Sequence, residues 1–147
     1  MTWDVERFVL AQSDSYQGAL REIELGHKVG HWIWWIFPQL RGLGTSNNAT
    51  YYGLSGLAEA RAYLAHPLLG PRLRTCVDGL MSHADRGVVA VLGADAVKLR
   101  SCLTLFARAT TDDALFRDAL ATLFEGKEDV LTVAMLGGEP PGERTRV

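Results

Sequence analysis

The stretch GHWIWWIFPQLRGLG, residues 30–44, contains three of the four Trp residues of the chain together with a Phe, a His and a Gln. Glycines stand at both of its ends, and Pro38 stops the one or two helical turns that residues 31–36 could form. Aromatic side chains bury large areas and dominate the energetics of cores. A run this dense predicts either the centre of a hydrophobic core or the wall of a pocket.

Apolar residues recur at helical spacing on both sides of this stretch. Upstream, the pattern over residues 4–25 predicts two helices or one kinked helix, with a new N-cap near Ser13 and with Gly26 at the C-terminal end. Downstream, we expect a short helix around Tyr51. Residues 88–92 are the only plausible strand of the chain, but we expect a short helix there as well. Further helices are predicted over 57–65, 68–83 and 94–108, after the cap at 111–113, and from Val130 to Met135.

Seven or eight short helices with short connections predict an all-α fold, a compact single-domain bundle over residues 1–137. The segment 138–147 is rich in Gly, Pro and charge, and we expect it to be a disordered tail. A chain of 147 residues has the length of about one domain, so this organisation is consistent with the size of the protein.

Bulk composition excludes several classes of function. The net charge is −2, with 15 basic and 17 acidic residues, which gives no electrostatic reason to expect nucleic acid or an anionic membrane as a partner. No apolar run reaches the roughly 18 residues of a membrane span, and no signal-peptide pattern is present. Cys76 and Cys102 lack metal-binding spacing and predict reduced, buried thiols. We expect a cytoplasmic monomer without metal or cofactor.

Two residues are candidates for acid–base chemistry. The ordinary pKa of a histidine such as His31 lies near neutrality. Glu22 lies in the last helical turn before the aromatic stretch and could approach it. The alternative for His31 is a purely structural role with both ring nitrogens satisfied. His27 and His31 also have the spacing of paired metal ligands, but Gly26 and Gly30 disfavour a helix there, so no metal site is predicted.

The aromatic stretch also supplies candidates for ligand binding. Three neighbouring Trp residues cannot all face one core from a single turn, so at least one reaches a groove or the surface. Lys98 and Ser101 are three residues apart on one helix face and could hold a phosphate or carboxylate, unless this face is simply solvated. The predicted ligand-binding residues are Trp32, Trp34, Trp35, Gln39, Tyr52, Lys98, Arg100 and Ser101.

Several of these motifs occur together in a known family. HWIW at 31–34 runs into IFPQL at 36–40 and GLG at 42–44, with ERFV at 6–9, EARAYL at 59–64 and KLRS at 98–101. With these motifs the chain resembles DUF1810, a family of small bacterial proteins of unknown function that often carry the label calpastatin. The chain departs from its pattern at Ile33, Gly56 and Cys102, where Met, Ser, and Ser or Thr are usual. The resemblance implies a mainly α-helical fold and brings no established activity.

Three functions follow as hypotheses. The first is a pocket for a nucleotide-like or ribosyl ligand, lined by the aromatic stretch, with His31, Gln39, Lys98 and Ser101 converging on it. The second is a hydrolase of an N-glycosidic or related bond that uses His31 or Glu22 as acid or base. The third is a protein–protein interaction module that presents helix 57–65 or an aromatic groove, and it predicts an exposed apolar patch.

Overall fold

The computed structural model describes residues 3–137. Ten α-helices and two short 3-10 turns account for most of them, and no β-strand occurs there. The helices are α1 (Glu6–Gln12), α2 (Tyr16–Leu25), α3 (Ile33–Ile36), α4 (Asn47–Tyr51), α5 (Leu57–Ala65), α6 (Leu69–Met81), α7 (Val88–Leu92), α8 (Ala96–Ala109), α9 (Ala114–Phe124) and α10 (Val130–Met135). The all-α prediction is confirmed.

The helix count is close to the predicted seven or eight, and it is higher because several elements are single turns. α3, α4 and α7 have four or five residues each. The segment 4–25 forms two helices, and the second begins after Ser15, whose hydroxyl donates to the Ala11 carbonyl oxygen at 2.6 Å. Gly26 ends α2 in the left-handed conformation, with φ of 79°. The predicted tail, 138–147, lies outside the described residues.

α8 is the central helix of the core. Most of its fourteen residues are buried, and it packs against α5, α9 and α10, because a helix that is apolar on most sides has to be surrounded by others. A continuous row of rings crosses the interior from α1 to α9. Its ring centroids are 5.0 Å apart between Phe8 and Tyr63, 5.4 Å between Tyr63 and Phe106, and 5.9 Å between Phe106 and Phe116.

The chain after α3 is fixed in place by an isolated parallel β-bridge between Leu40 and Leu54. The Leu54 N–H donates to the Gln39 carbonyl oxygen at 2.9 Å, and the Arg41 N–H donates to the Leu54 carbonyl oxygen at 2.7 Å. A glycine is needed next to this bridge, because a Cβ at Gly53 would lie 2.6 Å from the Arg41 Cα. The backbone at Gln39 is therefore held firmly against the core.

The two cysteines lie on the buried faces of two helices, Cys76 on α6 and Cys102 on α8. Cys76 and Cys102 are free and buried, as predicted, and burial raises the pKa of Cys76 to about 12. Between residues 3 and 137, no helix is both long enough and apolar enough to cross a membrane.

Candidate functional site

A cleft of about 500 Å³ opens between α3, the loop that leads into α4, α8 and the start of α10. Four of the eight predicted ligand-binding residues line it, and we call it the Gln39 cleft. These four are Trp34, Gln39, Lys98 and Ser101. Residues 43–46, Ala49, Val97, Asp129 and Leu131 complete the wall.

The Gln39 side chain is the unusual polar group of this cleft. It is 9% exposed, and its amide makes no hydrogen bond to any residue between 3 and 137. Buried amides normally have partners. Every fully buried side-chain nitrogen or oxygen in that part of the chain does have one, so solvent must reach the Gln39 amide through the cleft. The amide therefore offers two N–H groups and one oxygen to whatever occupies the cleft.

Lys98 enters the cleft as one member of a charged cluster. Its ammonium lies 2.9 Å from Asp95 Oδ1 and 5.0 Å from the centroid of the half-buried Trp34 ring. The other carboxylate oxygen, Oδ2, pairs with the buried ammonium of Lys28 at 2.7 Å. Burial raises the pKa of Asp95, but the two ammonium groups outweigh burial and bring that pKa below its usual value. The cluster therefore holds one carboxylate between two ammonium groups.

Ser101 on α8 and Asp129 at the start of α10 both line the cleft. The buried Ser101 hydroxyl donates to the Val97 carbonyl oxygen at 3.2 Å, which leaves its lone pairs available as acceptors. Asp129 is the N-cap of α10, and its Oδ2 accepts from the Thr132 N–H at 2.9 Å and from the Thr132 hydroxyl at 2.7 Å. Its Oδ1 makes no hydrogen bond to a residue of the described segment.

The two predicted acid–base residues lie elsewhere. Glu22 Oε1 accepts from the Val29 N–H at 2.8 Å, the Gly30 N–H at 3.0 Å and the Trp32 indole N–H at 2.8 Å. Partial burial raises the pKa of Glu22, but these hydrogen bonds outweigh it, so the pKa lies below its usual value. His31 is exposed, and neither it, Glu22 nor the buried Trp32 lines the Gln39 cleft. Their predicted roles stay predictions.

The remaining candidates also make contacts away from the cleft. The Trp35 indole N–H donates to the Ser15 hydroxyl at 2.8 Å, and its ring packs 5.2 Å from that of Tyr52. The Arg100 guanidinium donates to the carbonyl oxygens of residues 127 and 128 at 2.8 and 3.0 Å, and so ties the loop before α10 to α8. These three residues do not line the cleft.

Sequence reasoning missed Asp129, the carboxylate that lines the cleft. Its signal was an acidic residue directly before a predicted short helix, the place where an N-cap belongs. No group of three or more His, Cys, Asp or Glu side chains between residues 3 and 137 is arranged to hold a metal ion. The polar chemistry available in the cleft is thus that of the Gln39 amide, three hydroxyls, the Asp129 carboxylate and a paired ammonium.

Comparison with known proteins identifies a family and a fold. A family model described as a protein of unknown function, DUF1810, matches residues 2–136. The chain is also similar to the crystal structure of the conserved hypothetical protein Rv1873 from Mycobacterium tuberculosis, with 48% sequence identity and a TM-score of 0.89. That match covers 90% of this chain and 96% of the other. No curated protein matches the chain.

Proposed function

The chain belongs to the DUF1810 family, and we propose that it binds a small nucleotide-like or ribosyl ligand in the Gln39 cleft. The observation that supports this proposal is Gln39, a residue only 9% exposed, whose amide makes no hydrogen bond within residues 3–137 and is open to the cleft. Small-molecule sites are concave and mostly apolar, with a few polar groups that orient the ligand. An amide without an internal hydrogen bond can orient a ligand in this way.

The apolar wall of the cleft suits a planar ring. Trp34 is half-buried and lines the cleft, and Val97 and Leu131 are 65% and 63% exposed at the same site. Aromatic rings stack on flat partners, and a Gln amide can form two hydrogen bonds with the edge of a nucleobase. A ligand that carries a base therefore fits both the apolar wall and the amide.

Binding is tested by thermal unfolding with a panel of nucleosides, nucleotides, NAD, ADP-ribose and ribose phosphates. A ligand at 100 times its dissociation constant adds about 2.7 kcal/mol, which is several degrees of Tm for a domain of this size. We expect the shift to disappear in Gln39→Leu and to persist in Gln17→Leu, a matched change at an exposed position on α2. The absence of any shift, or an equal shift in both variants, would contradict the proposal.

We propose binding without catalysis. From the sequence, we expect the protein to be a cytoplasmic monomer. Hydrolysis of an N-glycosidic bond and docking of a partner protein remain predictions from the sequence. His31 and Glu22 do not line the cleft, and the Glu22 carboxylate oxygen Oε1 already accepts three hydrogen bonds. Release of free base from a bound nucleoside, abolished by His31→Ala or Glu22→Ala, would support the hydrolase instead.

A further inference from the structure

We infer that the Gln39 cleft takes an uncharged ribosyl compound, such as a nucleoside, and that Asp129 accepts a hydrogen bond from its ribose hydroxyls. This inference rests on the proposed function and narrows it to one class of ligand. It distinguishes a nucleoside from the corresponding phosphorylated nucleotide. Three properties of the cleft lead to it: its charge balance, its free hydrogen-bond acceptors and the rigidity of the groups concerned.

The charges around the cleft are balanced without a ligand. Lys98 is the one cation among the described lining residues, and Asp95 already holds its ammonium at 2.9 Å. Lys28, Asp95 and Lys98 together carry one positive charge, and the Asp129 carboxylate in the wall offsets it. A phosphate, with a charge of about −1.5 to −2 at pH 7, would share Lys98 with Asp95, lie near Asp129 and meet no unpaired cation among the described lining residues. An uncharged ligand meets no such cost.

Three acceptor atoms of the cleft remain free, beside the donors of Gln39, Thr45 and Ser46. Asp129 Oδ1 has no partner within residues 3–137, the Ser101 hydroxyl has already donated its hydrogen, and the Gln39 amide oxygen is unbonded. Phosphate oxygens only accept hydrogen bonds, so they cannot satisfy these atoms. Ribose hydroxyls can donate to all of them, and an acidic side chain is the residue that dinucleotide-binding folds use for ribose hydroxyls. The ligand that fits is therefore rich in hydroxyl groups.

The two principal groups are held in position before any ligand arrives. The Gln39 backbone is fixed by its hydrogen bond from Leu54 at 2.9 Å. The Asp129 N–H donates to the Thr104 hydroxyl at 2.9 Å, and its side chain is fixed by Thr132. Groups that are already ordered lose little entropy on binding, which favours affinity for a small ligand.

The test compares uncharged and charged ligands by titration calorimetry on the full chain. The probes are adenosine, guanosine, cytidine and uridine, each beside its 5′-monophosphate and its 2′,3′-dideoxy form. We expect at least one nucleoside to bind, and both its monophosphate and its dideoxy form to bind about tenfold more weakly or worse. We expect the nucleoside affinity to change little between about 50 and 300 mM NaCl, because no net charge is neutralised on binding.

Asp129→Asn tests the assigned carboxylate while keeping the fold, because Asn is as good an N-cap as Asp. We expect this variant to weaken nucleoside binding about tenfold, to leave the dideoxy form unaffected and to narrow the gap between nucleoside and monophosphate. A merely structural role of Asp129 would affect all three ligands alike.

The outcomes distinguish the preference for an uncharged nucleoside from ligand binding in general. A monophosphate that binds more tightly than its nucleoside, with a steep salt dependence, overturns this inference and leaves the proposed function standing. Equal binding of the nucleoside and its dideoxy form overturns the assignment of Asp129 to the ribose. Failure of the whole panel to bind, with Gln39→Leu indistinguishable from wild type, overturns both.

Discussion

Gln12, at the end of α1, and Gln39, after α3, are both nearly inaccessible, at 2% and 9% exposure. The Gln12 amide nitrogen donates to the Trp35 carbonyl oxygen at 2.8 Å and to the Tyr63 hydroxyl at 3.2 Å, and its amide oxygen accepts from Arg72 at 3.3 Å. Gln39 has no such partner within residues 3–137. Similar burial thus conceals two states, one amide used by the fold and one left for solvent or a ligand.

Arg7 repeats the pattern of Gln12 on the same helix. Its guanidinium donates to the Tyr51 carbonyl oxygen at 2.8 Å, to Glu59 at 2.8 Å and to the Gly53 carbonyl oxygen at 3.1 Å, and it also bonds to the Asp4 carbonyl oxygen. A second cleft of about 500 Å³ lies beside this pair. The two clefts have equal volumes, so volume does not distinguish them. The state of the buried polar groups does.

The largest effect in this comparison is expected at the fully paired ion. Arg7→Met leaves the Glu59 carboxylate buried without its cation, and breaking one side of such a pair costs about 3–5 kcal/mol. Urea unfolding at pH 7 measures the loss. Arg117→Met is the control, because Arg117 is 37% exposed and pairs of that kind contribute about 1 kcal/mol or less. Equal losses in the two variants would show that Arg7 is not a structural ion.

The two glutamines provide a matched pair of substitutions. Gln12→Leu removes the hydrogen bond that Arg72 donates and leaves the Trp35 carbonyl oxygen with only the Tyr63 hydroxyl, at 3.4 Å, so we expect a loss of about 1–3 kcal/mol in the free energy of unfolding. Gln39→Leu removes no internal hydrogen bond, so its change should stay within about 0.5 kcal/mol. The same urea experiment measures both. A large loss in Gln39→Leu would mean that this amide serves the fold as Gln12 does.

The smallest expected effect is on the loss of unfolding free energy in acid. Burial raises the pKa of Glu59, but the hydrogen bond and charge of Arg7 and the Ser55 N–H outweigh it, so this pKa lies below its usual value. The unfolded chain then binds more protons, and the contribution is present above the ordinary Glu pKa, about 4.3, and is lost as the pH falls through the lower folded value. Unfolding free energies between about pH 5 and 3 should fall less steeply in Glu59→Gln. An unchanged slope would assign the loss to other carboxylates.

Much of the fold follows from local patterns. The predicted helix 57–65 agrees with α5, and helices predicted over 68–83 and 94–108 agree with α6 and α8, because their apolar spacing reflects the faces that they bury. Half of the predicted ligand-binding set converges on one cleft: Trp34 and Gln39 are near neighbours in sequence, and Lys98 and Ser101 share one face of α8.

The contacts of the other candidate residues could not be predicted from the sequence, because tertiary packing decides them. Trp32 and Trp35 each place an indole N–H on a nearby acceptor, Glu22 or Ser15, and no spacing rule selects which Trp does so and which faces a cleft. Asp129 reaches the cleft from a helix about 90 residues away in sequence from Gln39, a juxtaposition that helix periodicity does not encode. Paired and free amides also look identical in a sequence.

One wall of the cleft depends on α10, a helix too short to be stable by itself. A helix of six residues is far below the roughly 12–15 at which isolated helices become even marginally stable, so α10 persists only while its attachments to α8 hold. Those attachments hold the residues just before α10 and include the Thr104 hydroxyl, Arg100 and the Arg108–Glu128 ion pair. The cleft is complete only in the fraction of molecules with α10 docked, and the apparent affinity of any occupant scales with that fraction. Occupancy in turn slows amide hydrogen exchange in α10.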